Sequence, residues 1–295
     1  MGARELRTLV EGGHYFEGPR WHDGRWWVSD FYGYAVLTVD TDGNASKVLE
    51  VEGQPSGLGW LPDGSLLAVS MRDHKLLRRT PDGAVSVHAE LDEHCGGLLN
   101  DMVVDEHGRA YVGDFGFDLM HFADPAPTVL VRVNPDGSTQ VVADDLWFPN
   151  GAAIDGDTLL VAETLAGRIT AFTLGEDGGL SDRRLWGQVG AYAEPGPLAE
   201  MLPQATFAPD GIALDAEGHV WAADGMGGPP GRFAPGGEQV EELPLPDGLG
   251  AFALMLGGED GRTLLICAAP DFAEENRKAA REAILFTTTV EVPAR

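Results

Sequence analysis

A short polar turn that contains glycine, followed by a run of mostly apolar residues, recurs along the chain. Six copies share this pattern: HDGRWWVSD at 22–30, PDGSLLAVS at 62–70, EHGRAYVGD at 106–114, DGDTLLVAE at 155–163, AEGHVWAAD at 216–224 and EDGRTLLIC at 259–267. Their first glycines lie roughly 40 to 60 residues apart, close to the length of a four-stranded propeller blade with variable loops. The pattern predicts six repeats of short antiparallel strands.

Helical spacing of apolar residues is nearly absent from the chain. The best candidate is FAEENRKAAREA at 272–283, which predicts a charged surface helix between two strands. The N-terminal ELRTLVEG and the C-terminal AILFTTTVEVP can pair in one blade, which would close the ring and remove an exposed sheet edge. We therefore predict an all-β fold, a single six-bladed β-propeller domain over residues 1–295 with four-stranded antiparallel blades.

Composition and charge narrow the possible partners. The 295 residues include 40 glycines and 19 prolines, which suits many tight turns, and 47 acidic against 20 basic residues give a net charge of -27. This charge repels phosphate backbones and anionic lipids, so we expect no nucleic acid or membrane partner. Cys95 and Cys267 show no CxxC spacing and are interpreted as free thiols. The N-terminal MGARELRTLVEGG lacks the apolar segment of a signal peptide, so a cytoplasmic location is expected.

The repeats also place one residue of each copy at the start of the predicted innermost strand. These residues are Glu17, Ser56, Asn100, Asn150, Asp210 and Gly250. Equivalent positions of all blades meet at the central channel of a propeller, so carboxylate and amide oxygens would converge there without imidazole or thiolate. Oxygen donors of this kind select calcium, magnesium or manganese over zinc. Each Asn-Gly or Asp-Gly pair is also typical of a simple turn, but their shared register favours a cation site.

Other polar residues carry weaker signals. A carboxylate recurs at the end of the second strand, as Asp30, Asp114, Glu163 and Asp224, and is interpreted as a turn and interblade hydrogen-bonding residue. The eight histidines show no metal-binding spacing, although His94 and His121 lie in predicted top-face loops. No nucleophile elbow, phosphate-binding loop or dinucleotide fingerprint is present. Aromatic residues directly precede two ring residues, and they either wall the site or pack at strand ends: Tyr15, Phe16, Trp147 and Phe148.

Four segments occur in an order and spacing that resemble a known family. They are EGPRW at 17–21, Asn-Asp at 100–101, FPNG at 148–151 and PDGIALD at 209–215. Together they resemble the gluconolactonase, regucalcin and senescence marker protein family of six-bladed propellers. The resemblance implies one divalent cation bound by Glu17, Asn150 and Asp210, with Asn100 contacting the cation or the substrate. Calcium is the expected ion, with Mg²⁺, Mn²⁺ or Zn²⁺ as alternatives.

Two features depart from the pattern of that family. Members with sugar lactonase activity often carry an arginine two residues before the asparagine of the Asn-Asp pair, where this chain has Leu98. Losing that donor weakens the case for a polyhydroxylated sugar lactone and leaves a more apolar lactone or ester open. The tract GDFGFDLMHFADPAP at 113–127 replaces a compact turn, and we expect it to form a lid over the channel.

The resulting hypothesis is metal-dependent opening of a lactone by water, in a monomer or small homo-oligomer that takes a small-molecule lactone or ester. The cation would polarise the carbonyl, and Asp210 would orient or deprotonate the water. One alternative is a calcium-dependent hydrolase of phosphoesters or phosphofluoridates. Another is a propeller that binds a cation or ligand without chemistry. A metal-free condensing propeller is disfavoured by the carboxylates Glu17 and Asp210.

Overall fold

Twenty-four strands form six four-stranded antiparallel sheets in the computed structural model, which describes residues 4–191 and 194–295. The innermost strand of each sheet packs against the innermost strands of two neighbouring sheets, and this series of contacts closes into a ring. The prediction of an all-β, six-bladed propeller is confirmed. The first strand, β1 (Arg7–Gly13), belongs to the last blade, and every other blade is made of four consecutive strands.

The first three blades follow β1 in chain order. Blade 1 contains β2 (Phe16–His22), β3 (Arg25–Asp30), β4 (Ala35–Val39) and β5 (Ala45–Glu50). Blade 2 contains β6 (Pro55–Trp60), β7 (Leu66–Ser70), β8 (Lys75–Arg79) and β9 (Val85–Glu90). Blade 3 contains β10 (Leu99–Val104), β11 (Ala110–Asp114), β12 (Thr128–Val133) and β13 (Thr139–Leu146).

The last three blades complete the ring. Blade 4 contains β14 (Pro149–Asp155), β15 (Thr158–Glu163), β16 (Arg168–Leu174) and β17 (Leu180–Gln188). Blade 5 contains β18 (Pro209–Leu214), β19 (Val220–Asp224), β20 (Gly231–Phe233) and β21 (Gln239–Glu242). Blade 6 contains β22 (Gly250–Gly257), β23 (Thr263–Ala269), β24 (Ala283–Thr289) and, outermost, β1.

The glycine turns of the repeat join the first and second strands of each blade. In blade 1, His22 pairs with Arg25, and the two residues between them, Asp23 and Gly24, have φ angles of 49° and 71°. Positive φ at both central residues defines the two-residue turn whose twist matches that of the flanking strands. The Asp-Gly pair therefore sets the register that places the start of β2 at the channel.

Blade 6 is closed by the two ends of the chain, as the sequence predicts. Strand β1 pairs antiparallel with β24, from Arg7 opposite Thr287 to Gly13 opposite Ala283. The pairing joins the two ends of the chain in one blade and covers the edge that β24 would otherwise expose. The predicted helix at 272–283 is present between β23 and β24 but is shorter, α2 (Glu274–Ala279), because Ala280 is already extended.

Few other helical segments occur in the described part of the chain. They are α1 (Leu198–Met201) and three 3-10 turns, at Leu119–His121, Thr164–Ala166 and Leu202–Gln204. Within residues 4–191 and 194–295, no helix has both the length and the apolar composition that crossing a bilayer requires. The helical segments at 119–121 and 198–204 matter for function, because both lie beside the cavity described below.

The core lies between neighbouring blades as well as along the channel. One cluster joins Leu160 and Ile169 of blade 4 to Ile212 and Phe233 of blade 5, all of them at most 5% exposed. Each sheet is therefore covered on both faces, which explains why a central strand such as β7 is apolar and buried along nearly its whole length. Cys95 and Cys267 are both free, as the sequence predicts.

Candidate functional site

Four of the aligned polar residues line one cavity at the end of the central channel. Glu17, Asn100, Asn150 and Asp210 are each the second residue of an innermost strand, and all four are buried. The cavity that they share has a volume of about 90 Å³. Residues up to 193 positions apart in the sequence thus meet because equivalent strand positions face the axis.

The other two aligned positions do not belong to the cavity wall. Ser56 is buried, but it is not among the residues that line the cavity. Gly250 is also absent from the wall, whereas Phe252 contributes to it. The packing of neighbouring innermost strands shows which residues are equivalent. A Cβ built on Gly151 would lie 2.8 Å from the Cα of Gly211, and a Cβ built on Gly211 would lie 2.8 Å from the Cα of Ala253.

Phe252 is therefore the residue of blade 6 that corresponds to Asp210, and the sequence alignment is two residues off in this blade. The reason is that β22 is apolar throughout, so it offers no polar residue from which to recognise the ring position. The ring that reaches the cavity consists of two carboxylates, two amides and one aromatic ring.

Among the described residues, hydrogen bonds engage the amide nitrogens of the ring rather than the amide oxygens. The Asn100 Nδ2 donates to the carbonyl oxygen of Pro149 at 3.3 Å, and the Asn150 Nδ2 donates to the Thr164 Oγ1 at 3.1 Å. Because each amide nitrogen is held by a protein acceptor, the Oδ1 is the atom of each side chain that remains to accept from or coordinate a ligand. The Glu17 Oε2 accepts the N–H of Gly18 at 3.1 Å.

This donor set fits a hard divalent cation. Two carboxylates and two amide oxygens are the kind of ligands that calcium, magnesium and manganese prefer. Among the described residues, no group of three or more His, Cys, Asp or Glu side chains forms a metal cluster. The four polar ring residues supply two carboxylates and two amide oxygens, so they do not form such a cluster.

Burial and like charge make the carboxylates of the metal-free site costly to ionise. Burial raises the pKa of Glu17 well above its ordinary value, and repulsion from Asp210 and Asp101 raises it further. Burial raises the pKa of Asp210 in the same way, with further repulsion from Asp101 and Asp224. A divalent cation between the two carboxylates would remove this cost at neutral pH.

An ion pair beside the ring was not assigned a role from the sequence. The Arg20 Nη2 donates to the Asp101 Oδ1 at 2.7 Å and to the carbonyl oxygen of Met102 at 2.6 Å. The pair links blade 1 to blade 3 across the channel, and both side chains are largely buried. Arg20 also lowers the pKa of Glu17, which offsets part of the repulsion from Asp101. Arg20 and Asp101 lie within two of the segments that carry the family resemblance, EGPRW and Asn-Asp, and this was the sequence signal that could have identified the pair.

The recurrent carboxylates at the ends of the second strands hold the segments that lead into the ring. Asp30 accepts the N–H groups of His14 and Tyr15, and Asp224 accepts that of Ala208. The predicted role in turns is thus present. These hydrogen bonds lie within the blade rather than between blades, because the partner segment directly precedes the innermost strand of the same blade.

Glu163 and Asp114 act in the same way in blades 4 and 3. The Glu163 Oε2 accepts the N–H of Trp147 at 2.9 Å, while Asp114 accepts the N–H groups of Gly96 and Gly97, just before β10. Four blades therefore fix the approach to the channel with a buried carboxylate. This repetition keeps Glu17, Asn100, Asn150 and Asp210 at equivalent heights.

The wall above the ring is almost entirely apolar. Two segments cover the cavity, one at 115–120 and the other at 198–205. Leu119 and Met120 of the first lie within the tract that the sequence predicts as a lid. The second was not predicted, although its apolar residues, Leu198, Met201, Leu202 and Ala205, recur at the spacing of one helix face and all line the cavity.

Other residues singled out in the sequence are divided between the wall and the core. Tyr15 and Phe148 line the cavity, while Phe16 and Trp147 do not. Leu98 packs against the core and is not part of the wall.

The two histidines of the predicted top-face loops lie away from the cavity. His94 Nε2 is 3.2 Å from the Thr139 Oγ1, and the exposed His121 pairs with Asp118. Neither lines the cavity, so no imidazole among the described residues reaches the ring.

Comparison with known proteins agrees with this geometry. The sequence model of the family described as SMP-30/Gluconolactonase/LRE-like region matches residues 16–270, which include all four polar ring residues. The chain belongs to this family. The predicted resemblance is thereby confirmed, and the match runs from β2 to the end of β23.

Relatives within the SMP-30/gluconolactonase family carry different lactone names. The chain is 31% identical over 203 residues to a 6-deoxy-6-sulfogluconolactonase of Pseudomonas putida, covering 66% of this chain and 62% of that protein. It is 25% identical over 258 residues to a pentonolactonase of Haloferax volcanii, covering 86% of this chain and 81% of that protein. The chain thus spans less than two thirds of the first relative's length.

A solved structure of a gluconolactonase from Xanthomonas campestris is similar throughout. It matches with a TM-score of 0.72 and 25% sequence identity, over 99% of this chain and 91% of that one. The family fold is therefore shared along the whole length, while the substrates in the names differ. The residues of the wall, rather than the fold, must decide the substrate.

Proposed function

We propose that this SMP-30/gluconolactonase family protein is a divalent-cation-dependent lactonase that hydrolyses the ester bond of a lactone ring. The observation that supports this most is the convergence of two carboxylates and two amide oxygens at one end of a largely apolar cavity. Relatives named as lactonases of sulfogluconolactone and pentonolactone support the same reaction.

In this proposal, Glu17, Asn150 and Asp210 hold the cation, and the Oδ1 of Asn100 faces the cation or the substrate. Calcium is the expected ion because all donors are oxygens, with Mg²⁺, Mn²⁺ or Zn²⁺ as alternatives. A bound divalent cation would polarise the lactone carbonyl and stabilise the negative charge of the tetrahedral intermediate.

Asp210 is the residue that we assign to the water. The Asn150 side chain donates a hydrogen bond to the Asp210 carboxylate. This bond stabilises the ionised form and helps to fix the orientation of the carboxylate. A Cβ built on Gly225, which also lines the cavity, would lie 3.3 Å from the Asp210 Oδ2. The absence of a side chain at position 225 therefore leaves space beside this oxygen for a small molecule.

The position of Asp210 defines the path of the proton during ring opening. Asp210 takes a proton from the water as the water oxygen attacks the carbonyl carbon, and the bond between that carbon and the ring oxygen then breaks. The leaving alkoxide takes the proton from Asp210 and becomes the hydroxyl of the open-chain acid. Tyr15 lines the cavity two residues before Glu17, and we assign its hydroxyl to donate to the substrate.

A cation-dependent assay tests the proposed function. Chelator-treated protein is given calcium, magnesium, manganese or zinc, and acid release from alkyl lactones, sugar lactones and a phosphotriester is followed with a pH indicator. We expect lactone turnover only with added cation, and none of comparable rate with the phosphotriester.

Equal lactone turnover in chelator would contradict the cation dependence. Preference for the phosphotriester would support the calcium-dependent phosphoester hydrolase instead. Cation-dependent binding of lactones without acid release would support a binding protein.

A further inference from the structure

We propose that the substrate of this site is an apolar, alkyl-substituted lactone, and that polyhydroxylated sugar lactones are disfavoured. This inference rests on the proposed function, because it names the substrate class of the same site. It is carried by the chemistry of the cavity wall, which the names of the relatives do not describe.

The wall offers few partners to a hydroxyl group. It is built from apolar side chains such as Leu119, Met120, Leu198, Met201, Phe252 and Phe272. Among the described residues that line it, there is no lysine, arginine, histidine or glutamine. Sugar-binding sites need such groups, since each buried hydroxyl must replace the hydrogen bonds that it made to water.

Most of the polar groups that line the cavity are already engaged. The Thr164 Oγ1 accepts from Asn150 and donates to the carbonyl oxygen of Pro209 at 2.9 Å. The oxygens of Glu17, Asn150 and Asp210 are assigned to the cation. The Tyr32 hydroxyl donates to the carbonyl oxygen of Phe272 at 3.4 Å. The Tyr15 hydroxyl and the Asn100 Oδ1 are left for the substrate, and two groups cannot serve the several hydroxyls of a sugar lactone.

The shape of the cavity points in the same direction. Aromatic rings surround its base, with the ring of Tyr15 5.4 Å from that of Phe31 and 5.2 Å from that of Phe252. The cavity volume, about 90 Å³, is smaller than the apolar cavity of about 150 Å³ that holds a benzene molecule in other proteins. Binding of a substituted lactone ring therefore requires the covering segments to shift.

Methionine makes such adjustment easy. Met120, Met201 and Met226 contribute to the wall from three separate segments of the chain, and Met226 is 42% exposed at the rim. Unbranched thioether side chains adapt to apolar groups of different shapes at low cost. We therefore infer tolerance for the length of an alkyl substituent, together with discrimination against hydroxyl groups.

Two matched substrates test the inference. The lactones δ-hexalactone and gluconolactone share a six-membered ring and differ in the hydroxyl groups that gluconolactone carries. After correction for uncatalysed hydrolysis, we expect kcat/KM with saturating calcium to be at least about 10²-fold higher for δ-hexalactone, the order of discrimination that an apolar pocket shows against added hydroxyls. Equal rates, or a preference for gluconolactone, would overturn the substrate class while leaving the lactonase proposal intact.

Binding of the corresponding lactams separates this inference from the proposed function. Lactams carry the same ring and carbonyl but resist hydrolysis, so their affinities can be measured even if no lactone is turned over. Tighter binding of the alkyl lactam supports the apolar site. Tighter binding of the hydroxylated lactam refutes it, whatever the outcome of the hydrolysis assay.

A substitution in the wall provides a second test. Met120 is only partly buried, and Met120→Gln adds a hydrogen-bonding group of nearly the same size to the cavity. We expect this variant to reduce the preference for δ-hexalactone about tenfold. Met255→Gln is the matched control, because Met255 is also partly buried but does not line this cavity. An unchanged preference in Met120→Gln, or an equal change in the control, would contradict the assignment of the wall.

Discussion

Replacing Asp210 with asparagine is expected to lower kcat/KM for lactone opening by roughly 10²–10⁴-fold, the range that removal of a general base produces. Asparagine keeps the size of the side chain and one oxygen donor, but it cannot take a proton from water. The fold should persist. Burial raises the pKa of Asp210, so its ionised form destabilises the metal-free protein at neutral pH, and an amide removes that cost.

The matched control is Asp247→Asn. Asp247 lies in another Pro-Asp-Gly triplet, at 246–248, where it is exposed on a turn before β22. Both variants lose one negative charge within the same tripeptide, so only position differs. Steady-state rates with saturating calcium and thermal unfolding decide the question. An Asp210→Asn enzyme with full activity would refute its role as base, and an unfolded one would show that its role is structural.

Glu17→Gln is expected to abolish the stabilisation that a divalent cation gives to the folded protein. A cation at 100 times its dissociation constant stabilises a protein by about 2.7 kcal/mol, which raises the melting temperature by several degrees. Glutamine loses the charge that holds the cation, yet its oxygen can still accept the N–H of Gly18. Melting curves with chelator and with calcium measure the loss.

The same variant should be more stable than the unmodified protein when both are free of metal. Because the folded-state pKa of Glu17 lies above the unfolded value, the metal-free protein loses stability as pH rises through that interval. Removing the carboxylate removes this loss, so the gain should appear at neutral pH and vanish in acid. Glu52→Gln, an exposed residue, controls for net charge. A calcium response in Glu17→Gln equal to that of the control would contradict the proposed site.

The fold was predictable because every blade repeats the same local signals. Gly-containing turns such as Asp23-Gly24 fix hairpins, and the apolar runs that follow them can only be buried between sheets. The pairing of β1 with β24 was also predictable, since an unpaired outer strand would otherwise remain in blade 6. Helix α2 is shorter than its pattern because the chain must turn back into β24.

The polar half of the site was predictable for the same reason, and the apolar half was not. Glu17, Asn100, Asn150 and Asp210 stand out because polar residues are unusual at the start of a buried strand. Phe252 does not stand out, since β22 is apolar along its length and gives no marker of register. Its place at the cavity follows only from how neighbouring strands pack.

The covering segment at 198–205 illustrates the same limit. Its apolar residues follow helical spacing, but α1 has only four residues, too few to form a stable helix by themselves. Packing against the cavity supplies the rest of the stability, and that packing depends on residues far away in sequence. The substrate class, which this wall decides, therefore required the structure.

The location of the cation tests the account most directly. Crystals of the chelator-treated protein soaked in manganese would give an anomalous difference peak at any bound ion. We predict one strong peak at the end of the central channel, within about 2.0–2.6 Å of side-chain oxygens of Glu17, Asn150 and Asp210, the range of bond lengths for hard divalent cations. A channel without a peak, or ions bound only on the acidic surface, would contradict the proposed cation site.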